Sequence, residues 1–231
     1  MIEKIKRFFF KEPTTWFTSD LHFGHRNVIN YCNRPYKDLE EMHKALIKIW
    51  NDTVKEGDTV YVLGDFSLNK KWSQTIIPLL KGNKILISGN HDYCFDHPPK
   101  ENSGLSIQQH RENYKRRCDA YIQHGWQAVH QTLKLKFKNG VNVLLHHLPY
   151  ATPKEVGFDQ RYLNLRPKDE GLFLLHGHLH GRYKKYKNMI DCGLDAWNLN
   201  LISEDDIIKI IESKENYIKS SLTDWYETNK S

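Results

Sequence analysis

The sequence contains little cysteine, and its cysteines form no metal-binding or disulfide pattern. They stand far apart and include no CxxC pair, which excludes the spacing of zinc ribbons and knuckles; the four are Cys32, Cys94, Cys118 and Cys192. Four cysteines in 231 residues, without a secretory signal, indicate free thiols in a reducing compartment. The sequence therefore predicts a cytoplasmic protein.

Long apolar runs are also absent. The basic N-terminal stretch MIEKIKRFFFKEP contains only three consecutive phenylalanines, too few for the core of a signal peptide or for a membrane span. The sequence shows neither an internal repeat nor a low-complexity linker that would separate domains. We therefore expect no association with a membrane, and a single domain over residues 1–231.

The composition is that of a folded protein with a mild basic excess. Hydrophobic residues make up 39% of the chain and aromatic residues 12%, which is enough for a sizeable core. Lysine and arginine together number 34 against 28 acidic residues, giving a net charge of +6 and a pI near 9.0. Such an excess attracts anionic partners, for example phosphate esters or nucleic acid.

Five short apolar runs end in polar residues and predict strands that are buried on both faces. These runs occupy residues 15–22, 59–67, 84–92, 141–149 and 172–180. Between the first two runs, residues 38–54 place Leu39, Met42 and Leu46 at helical spacing. Strands that alternate with helices are typical of an α/β domain with parallel strand pairing.

The second half of the chain is richer in strands. Residues 133–141 alternate in polarity and then contain an Asn-Gly pair, which predicts a hairpin. Residues 93–125 are polar, and we interpret them as an insertion or lid. Residues 203–231 are expected to form a C-terminal helical segment, with Ser203 as the N-cap and Asp206 completing a capping box.

Polar side chains collect at the ends of the apolar runs, and the carboxyl ends of parallel strands share one edge of a sheet. The set comprises carboxylates, one amide and several imidazoles: Asp20, Asp65, Asn90, His22, His91, His146 or His147, His178 and His180. Oxygen and nitrogen ligands without thiolate suit Mn, Fe, Zn or Ni, whereas Mg and Ca prefer all-oxygen sites. Because the set is too large for one ion, it predicts two ions that share a carboxylate.

The same residues occur in the order of a known family. The motifs are Asp20-Leu21-His22, Gly64-Asp65, Gly89-Asn90-His91-Asp92, a later strand-end histidine, and Gly177-His178-Leu179-His180. In this combination, over residues of about 15 to 195, the sequence resembles the calcineurin-like metallophosphoesterase superfamily. The resemblance implies an α/β fold, a two-sheet α/β/β/α sandwich of the metallophosphoesterase type. It also implies hydrolysis of P–O bonds by water that two divalent metal ions activate.

The resemblance further implies a role for each residue of the motifs. The metal ligands would be Asp20, His22 and His180 for one ion, Asn90, His178 and the strand-end histidine for the other, and Asp65 as the bridge. His91 would protonate the leaving oxygen, and Asp92 would orient the His91 imidazole. The family's ligand commonly stands two places before a proline, which favours His147 ahead of Pro149, but the strand length allows His146 equally well.

Three residues are candidates for contact with a phosphate group of the substrate. His25 and Arg26 follow the first motif closely, and Arg161 precedes the last predicted strand. Arginine suits phosphate because its planar guanidinium donates two parallel hydrogen bonds. A solvated loop position is the simpler explanation for each of them.

Our leading hypothesis is a phosphodiesterase that uses two manganese ions and acts on nucleotides or nucleic acid, with Fe, Zn or Ni as alternative metals. A phosphomonoesterase, including a protein phosphatase, is the second hypothesis, because the same motifs serve both reactions. A non-catalytic module whose metals shape a binding surface is the third. The complete set of candidate ligands argues against that module.

Overall fold

The computed structural model describes residues 12–99, 104–151 and 161–222. The phenylalanine run near the N-terminus and residues 223–231 of the predicted C-terminal segment lie outside these ranges. Within them, the strands form one sheet of five strands and another of six. None of the helices in this part of the chain has the length and apolar content needed to cross a bilayer.

The first sheet is mostly parallel. Its strands are β1 (Thr15–Thr18), β2 (Thr59–Val62), β3 (Asn83–Ile87), β4 (Ala128–His130) and β10 (Ile202–Ser203). They lie in the order β10-β1-β2-β3-β4; β1 to β4 pair in parallel, and β10 is antiparallel to β1. The first three apolar runs of the sequence are therefore strands, as predicted.

The second sheet is mixed. Its strands are β5 (Thr132–Lys136), β6 (Asn142–His146), β7 (Phe173–His176), β8 (Lys185–Tyr186), β9 (Met189–Asp191) and β11 (Tyr217–Ile218). They lie in the order β11-β8-β9-β7-β6-β5, and β6, β7 and β9 run in parallel. The predicted hairpin is β5 and β6, which pair antiparallel. The sequence predicts a helical segment over residues 203–231. That prediction is only partly right, because strand β11 lies inside the segment.

Among the described residues, five α-helices connect the strands: α1 (Val28–Tyr31), α2 (Leu39–Thr53), α3 (Lys70–Ile76), α4 (Ile107–Gln123) and α5 (Glu204–Glu212). Helix α5 begins where predicted, because the Ser203 hydroxyl accepts a hydrogen bond from the Asp206 amide at 3.1 Å. The same hydroxyl donates to the Asp206 carboxylate at 2.7 Å. The two side chains thus bond to each other, in place of the reciprocal side-chain-to-backbone pair of a capping box.

The hydrophobic core lies on both faces of the first sheet. Between the two sheets, Phe17 and Leu63 pack against Leu145 and Leu175 of the second sheet. On the outer face, helix α2 contributes side chains such as Trp50, which is 1% exposed. Full burial of an apolar side chain of this kind stabilises a fold by about 1.5–3 kcal/mol. The result is the two-sheet α/β sandwich that the sequence predicts.

Helix α4 lies within residues 93–125, for which the sequence predicts an insertion or lid. In the structure, this helix belongs to the crossover that joins the parallel strands β3 and β4. Its Tyr121 is fully buried in the core beside the first sheet, and the Tyr121 hydroxyl accepts a hydrogen bond from the Tyr93 amide at 3.1 Å. This part of the segment is therefore a packing layer of the domain, and a lid function for it stays a prediction.

Candidate active site

Five of the seven candidate metal ligands have a left-handed backbone conformation, with φ between 50° and 73°; they are Asp20, His22, Asp65, His178 and His180. A residue other than glycine in this region costs about 1–3 kcal/mol, and such residues cluster at functional sites. Each of the five follows the carboxyl end of a strand of the two sheets. The fold therefore tolerates strain at the positions that turn these side chains towards one another.

Backbone hydrogen bonds tie the strand-end loops together. The amide of Asp20 donates to the Gly64 carbonyl at 3.1 Å, and that of His22 donates to the Asp65 carbonyl at 2.9 Å. The amide of His178, from the other sheet, donates to the Asp20 carboxylate at 3.0 Å. Three loops that are remote in sequence thus have fixed positions relative to one another.

Two glycines make this close approach of the loops sterically feasible. A Cβ atom on Gly64, which has φ +95°, would lie 2.4 Å from Nδ1 of His147. A Cβ atom on Gly89 would lie 2.3 Å from both the amide nitrogen and Oδ1 of Asp65. A side chain at either of these strand ends would therefore collide with residues of the site, and glycine avoids that collision.

The first group of candidate ligands surrounds Asp20. Oδ1 of Asp20 lies 3.8 Å from Nε2 of His22 and 3.9 Å from Nε2 of His180. Nε2 of His22 also lies 3.6 Å from Oδ2 of Asp65. Ligand atoms bound to one ion at about 2.1 Å are about 3.0–3.4 Å apart, so a small contraction would bring this group onto a cation.

The second group surrounds the other side of Asp65. Nδ1 of His147 donates to the Leu63 carbonyl at 2.7 Å, so Nε2 of a neutral ring carries the lone pair. That Nε2 atom lies 3.1 Å from Oδ1 of Asn90 and 3.4 Å from Oδ2 of Asp65. The His178 ring stands beside that of His147, with 5.3 Å between the ring centroids. Asp65 is thus shared by the two groups.

The structure separates the two consecutive histidines at the end of β6, His146 and His147. His146 points away from the cluster, where its Nδ1 lies 3.0 Å from the Leu148 amide nitrogen and 3.1 Å from the Leu148 carbonyl oxygen. Burial lowers the pKa of His146 to about 4, so this ring is neutral inside the protein. The strand-end histidine of the cluster is therefore His147, the alternative that the following proline favours.

The cluster has the chemistry of a cation site. Nε2 of His22 is buried without a hydrogen-bond partner, although carboxylate oxygens lie just beyond hydrogen-bond distance. At the second group, a lone pair on His147 faces the oxygens of Asn90 and Asp65. Electron-rich atoms repel one another at such distances unless a proton or a metal cation lies between them. The described residues therefore fit a pair of divalent ions that share Asp65.

The protonation equilibria of the cluster also indicate a demand for positive charge. Burial disfavours the charged form of His147, but attraction to the Asp65 carboxylate outweighs burial and raises the pKa of His147 to about 9. Burial likewise opposes ionisation of Asp65, yet His147 and His22 hold the pKa of Asp65 well below its usual value. At Asp20, burial dominates and raises the pKa of the carboxyl group. Without metal ions, protons on histidine would balance these carboxylates.

His91 is near the cluster, but Asp92 does not have the position expected of its partner. The His91 side chain is 40% exposed, and its Nε2 lies 4.0 Å from Oδ2 of Asp65. The Asp92 carboxylate is buried and accepts hydrogen bonds from the backbone amides of Phe66, Ser67 and Gly89. We therefore correct the role predicted for Asp92: it holds the loops after β2 and β3 together, and it does not orient the His91 imidazole.

Comparison with known protein families agrees with this geometry. The family model described as calcineurin-like phosphoesterase matches residues 13–182. The chain belongs to the calcineurin-like phosphoesterase family. Members of this family hydrolyse phosphoesters with a dinuclear divalent metal site, and the Asp and His groups described above are suited to such a site.

Several known proteins are similar to this chain. An uncharacterized protein of Methanocaldococcus jannaschii is 49% identical over 80 residues, which are 33% of this chain and 46% of that protein, so the match spans less than half of the relative. The gene 66 protein of Mycobacterium phage L5 is 33% identical over 210 residues, 85% of this chain and 93% of that protein. A solved structure of a protein of unknown function from Aquifex aeolicus has a TM-score of 0.60 at 24% identity. It covers 86% of this chain and 100% of its own, and it shows the same fold.

A cavity of about 340 Å³ opens above the cluster of candidate ligands. Its walls include His22, His25, Val28, Tyr31, Cys32, His91, Arg161, His178, Leu179, His180 and Arg182. Two of the three candidate phosphate contacts, His25 and Arg161, therefore face the cavity. Arg26 is exposed and lies outside the described cavity wall. The structure thus does not bring it to the site as predicted.

The sequence reasoning missed a buried ion pair behind the site. Arg34 and Asp195 form two hydrogen bonds with each other, at 2.8 and 2.9 Å, and Asp195 also bonds to the ring of His180. Cys32 lies in the same region, with its sulfur 3.2 Å from Nδ1 of His180. A carboxylate inside the otherwise apolar stretch GLDAW was the available signal for Asp195, since an acidic side chain is seldom buried without a partner.

Proposed function

We propose that this chain is a phosphodiesterase that acts on nucleotides or nucleic acid with two divalent metal ions, manganese being the first candidate. The observation that carries the proposal is the position of Asp65, whose Oδ2 atom lies within 3.6 Å of ring nitrogens from two separate ligand groups. Three of the other candidate ligands, His22, His178 and His180, line a cavity that is large enough for a small ligand. Family membership supports the phosphoester chemistry, and the substrate class is our inference.

The residues of the cluster have distinct roles in this proposal. Asp20, His22 and His180 would hold one ion, with Asn90, His147 and His178 on the other and Asp65 on both. When bound, the two ions would neutralise the phosphoryl oxygens and make a water molecule more acidic. The protein itself supplies ligands whose positions its hydrogen bonds fix before any substrate arrives.

His91 is suited to hold the proton that the leaving oxygen needs. Its side chain is more exposed than those of the buried ligands, and it lies on the wall of the cavity. Its backbone amide donates to Oδ1 of Asp65 at 2.8 Å, which fixes the residue relative to the metal cluster. A positioned acid of this kind contributes about 10²–10⁴-fold, most of it when the leaving group is poor.

The cavity walls favour an anion with an aromatic substituent. The lining includes Tyr31, which is 61% exposed, together with Arg161 and Arg182, which add positive charge. The described lining contains no carboxylate of its own. A nucleobase can stack on an aromatic ring, and arginine binds phosphate. A phosphodiester of a nucleoside would use both kinds of contact.

A substrate screen tests this proposal. Manganese-loaded protein is assayed with bis-p-nitrophenyl phosphate and p-nitrophenyl phosphate, and then with 2′,3′- and 3′,5′-cyclic nucleotides, single-stranded nucleic acid and phosphopeptides. We expect turnover of the diester and of at least one nucleotide, and loss of both activities in Asp65→Asn. Preference for the monoester or for phosphopeptides would indicate a phosphomonoesterase. Bound manganese without any turnover would indicate the non-catalytic module.

The role of His91 is tested with two leaving groups. His91→Ala is expected to slow hydrolysis of a nucleotide diester, whose alkoxide leaves poorly, by about 10²–10⁴-fold. The same variant should retain most of its rate on the activated p-nitrophenyl diester, since p-nitrophenolate leaves without a proton. Equal losses on the two substrates would show that His91 acts in another way.

A further inference from the structure

A buried ion pair stands directly behind the metal cluster. Nε of Arg34 donates to Oδ1 of Asp195 at 2.8 Å, and Nη2 donates to Oδ2 at 2.9 Å. Both side chains are almost completely buried, with exposures of 0% and 1%. The two parallel bonds are the planar, bidentate geometry that only arginine provides.

The same guanidinium reaches the first ligand loop. Nη2 of Arg34 donates to the Asp20 carbonyl at 2.6 Å, and Nη1 donates to the Leu21 carbonyl at 3.1 Å. Asp195 belongs to the loop after β9, whereas Asp20 and Leu21 follow β1. Arg34 therefore connects two strand-end loops that are more than 170 residues apart in the chain.

Asp195 controls the orientation of one candidate ligand. Its Oδ2 atom lies 2.9 Å from Nδ1 of His180, and because an ionised carboxylate only accepts hydrogen bonds, Nδ1 carries the proton. The lone pair of His180 is then on Nε2, the atom that faces Asp20 at 3.9 Å. Partners of this kind fix the tautomer and the ring orientation of metal-binding histidines.

We propose that Asp195, held in place by Arg34, is a positioning residue that fixes the His180 tautomer and thereby sets the affinity of the Asp20 metal position. The proposal rests on the two-metal function proposed above and adds residues to it. Asp195 and Arg34 do not face the cavity above the cluster, so neither is expected to touch substrate.

Stability alone does not account for this ion pair. A buried pair loses much of its Coulombic attraction to the cost of desolvation, and an apolar pair of similar volume is often as stable. The pair has a function that an apolar pair would lack. Asp195 accepts a hydrogen bond from His180, and Arg34 neutralises the negative charge of Asp195. Arg34 also holds the backbone of Asp20, which is a ligand of the same metal position in our proposal.

The test measures metal affinity in Asp195→Asn. Isothermal titration of metal-free protein with Mn²⁺ should show that one of the two binding steps weakens by about 10–100-fold, while the other stays close to wild type. Arg34→Lys keeps the positive charge but loses the pair of parallel hydrogen bonds to Asp195. This variant should weaken the same binding step by a smaller factor. Hydrolysis by Asp195→Asn should recover when the manganese concentration is raised in proportion.

Asp58→Asn is the matched control for general destabilisation. Asp58 is also buried, and its carboxylate accepts from the Thr14 and Lys55 amides and from the Trp16 indole, at the opposite end of the strands. This variant should be less stable than wild type but should bind Mn²⁺ with unchanged affinity. If Asp195→Asn and Asp58→Asn bind both ions as tightly as wild type, the proposal is wrong.

A spectroscopic measurement on the wild-type protein keeps the proposal testable if Asp195→Asn does not fold. In ¹⁵N-edited NMR spectra of the Zn²⁺-loaded protein, His180 should show a protonated Nδ1 whose proton is shifted downfield by the carboxylate. Coordination of Zn²⁺ through Nδ1, or an unprotonated Nδ1, would overturn the assignment. Wild-type protein that binds two ions without hydrolysing any ester would refute the proposed function, while the metal titration would still decide the role of Asp195.

Discussion

Replacement of Gly89 by alanine tests how tightly the fold is built around Asp65. The added Cβ atom would lie 2.3 Å from the amide nitrogen and Oδ1 of Asp65, whereas ordinary contact begins at 3.4 Å. One of the two loops must therefore move by about 1.1 Å, the difference between these distances. The backbone of Gly89 does not lie in the left-handed region, so contact alone, and no backbone strain, causes the effect.

The expected consequences are a loss of stability and a larger loss of function. Overpacking of this size costs about 1–3 kcal/mol. In a domain of this length, the melting temperature falls by about 2–4 °C for each kcal/mol. A displacement of about 1 Å at a catalytic group can reduce the rate by about 10²-fold, and Asp65 is the residue that our proposal places on both metal positions. Manganese-dependent hydrolysis should therefore fall by about that factor, even where the variant is fully folded.

Gly57→Ala is the control for this experiment, because a Cβ atom there meets its nearest neighbour, Cγ of Pro13, only at 4.0 Å. Gly57 is also outside the left-handed region, so this variant should match wild type within about 0.5 kcal/mol. Thermal denaturation and manganese-dependent hydrolysis are measured for both variants. If Gly89→Ala melted and hydrolysed like Gly57→Ala, the close approach of Gly89 to Asp65 would not exist in solution.

Three further substitutions probe the scaffold around the site. Asp58→Asn leaves one of three donors without an acceptor and should cost about 1–3 kcal/mol at neutral pH. Burial raises the pKa of Asp58, but these hydrogen bonds bring it below 3.8 overall, so the stability difference from wild type should disappear as the pH falls below that value. His43→Leu removes the acceptor of the Gly24 amide and should therefore be less stable than wild type at neutral pH. Burial lowers the pKa of His43 below 6.5, so the stability of the wild type decreases as the pH falls below 6.5. Denaturation curves should accordingly show a smaller stability difference between wild type and variant at acidic pH. Lys185→Met should lower the melting temperature, because the Lys185 ammonium group donates to the Ile210 carbonyl at 2.8 Å at the end of α5, and an unchanged melting temperature would contradict that contact.

The fold was predictable to the extent that local pattern decides it. Apolar runs identified the central strands, and helical spacing identified α2, because burial on one or two faces imposes those periods. Strands of two or three residues, such as β8 (Lys185–Tyr186) and β11 (Tyr217–Ile218), were missed. They are too short to show a period, and pairing with a neighbouring strand stabilises them. The packing of helix α4 against the core was also missed, because Tyr121 is the one fully buried residue among its mostly exposed ones.

In the candidate site, the metal ligands were predictable from the sequence, whereas the residues that hold them in place were not. Its predicted ligands converge because each directly follows the carboxyl end of a strand, so sequence position and parallel pairing together imply their proximity. The tertiary partners of those ligands leave no such trace. Arg34 contacts Asp195 across 161 positions of the chain. It also binds two backbone carbonyl groups, and because every residue has such a group, the sequence does not mark them as its partners. Asp92 was assigned to its neighbour His91, although its partners are the amides of Phe66 and Ser67 on another loop and of Gly89 on its own loop.

The backbone strain at the ligands explains why the sequence identifies the ligands of this site but does not predict their conformation. Aspartate and histidine occupy the left-handed region more often than most residues, but their Cβ atom still makes it unfavourable, so local preference alone does not place Asp20, Asp65 or His180 there. Their conformation is imposed from outside, by amide bonds between loops and by the Arg34 guanidinium on the Asp20 carbonyl. It follows that release of one such contact should let a ligand relax towards an ordinary conformation. Arg34→Lys should accordingly reduce the free energy of metal binding by more than it reduces the free energy of unfolding. A purely structural ion pair would show the larger loss in the free energy of unfolding.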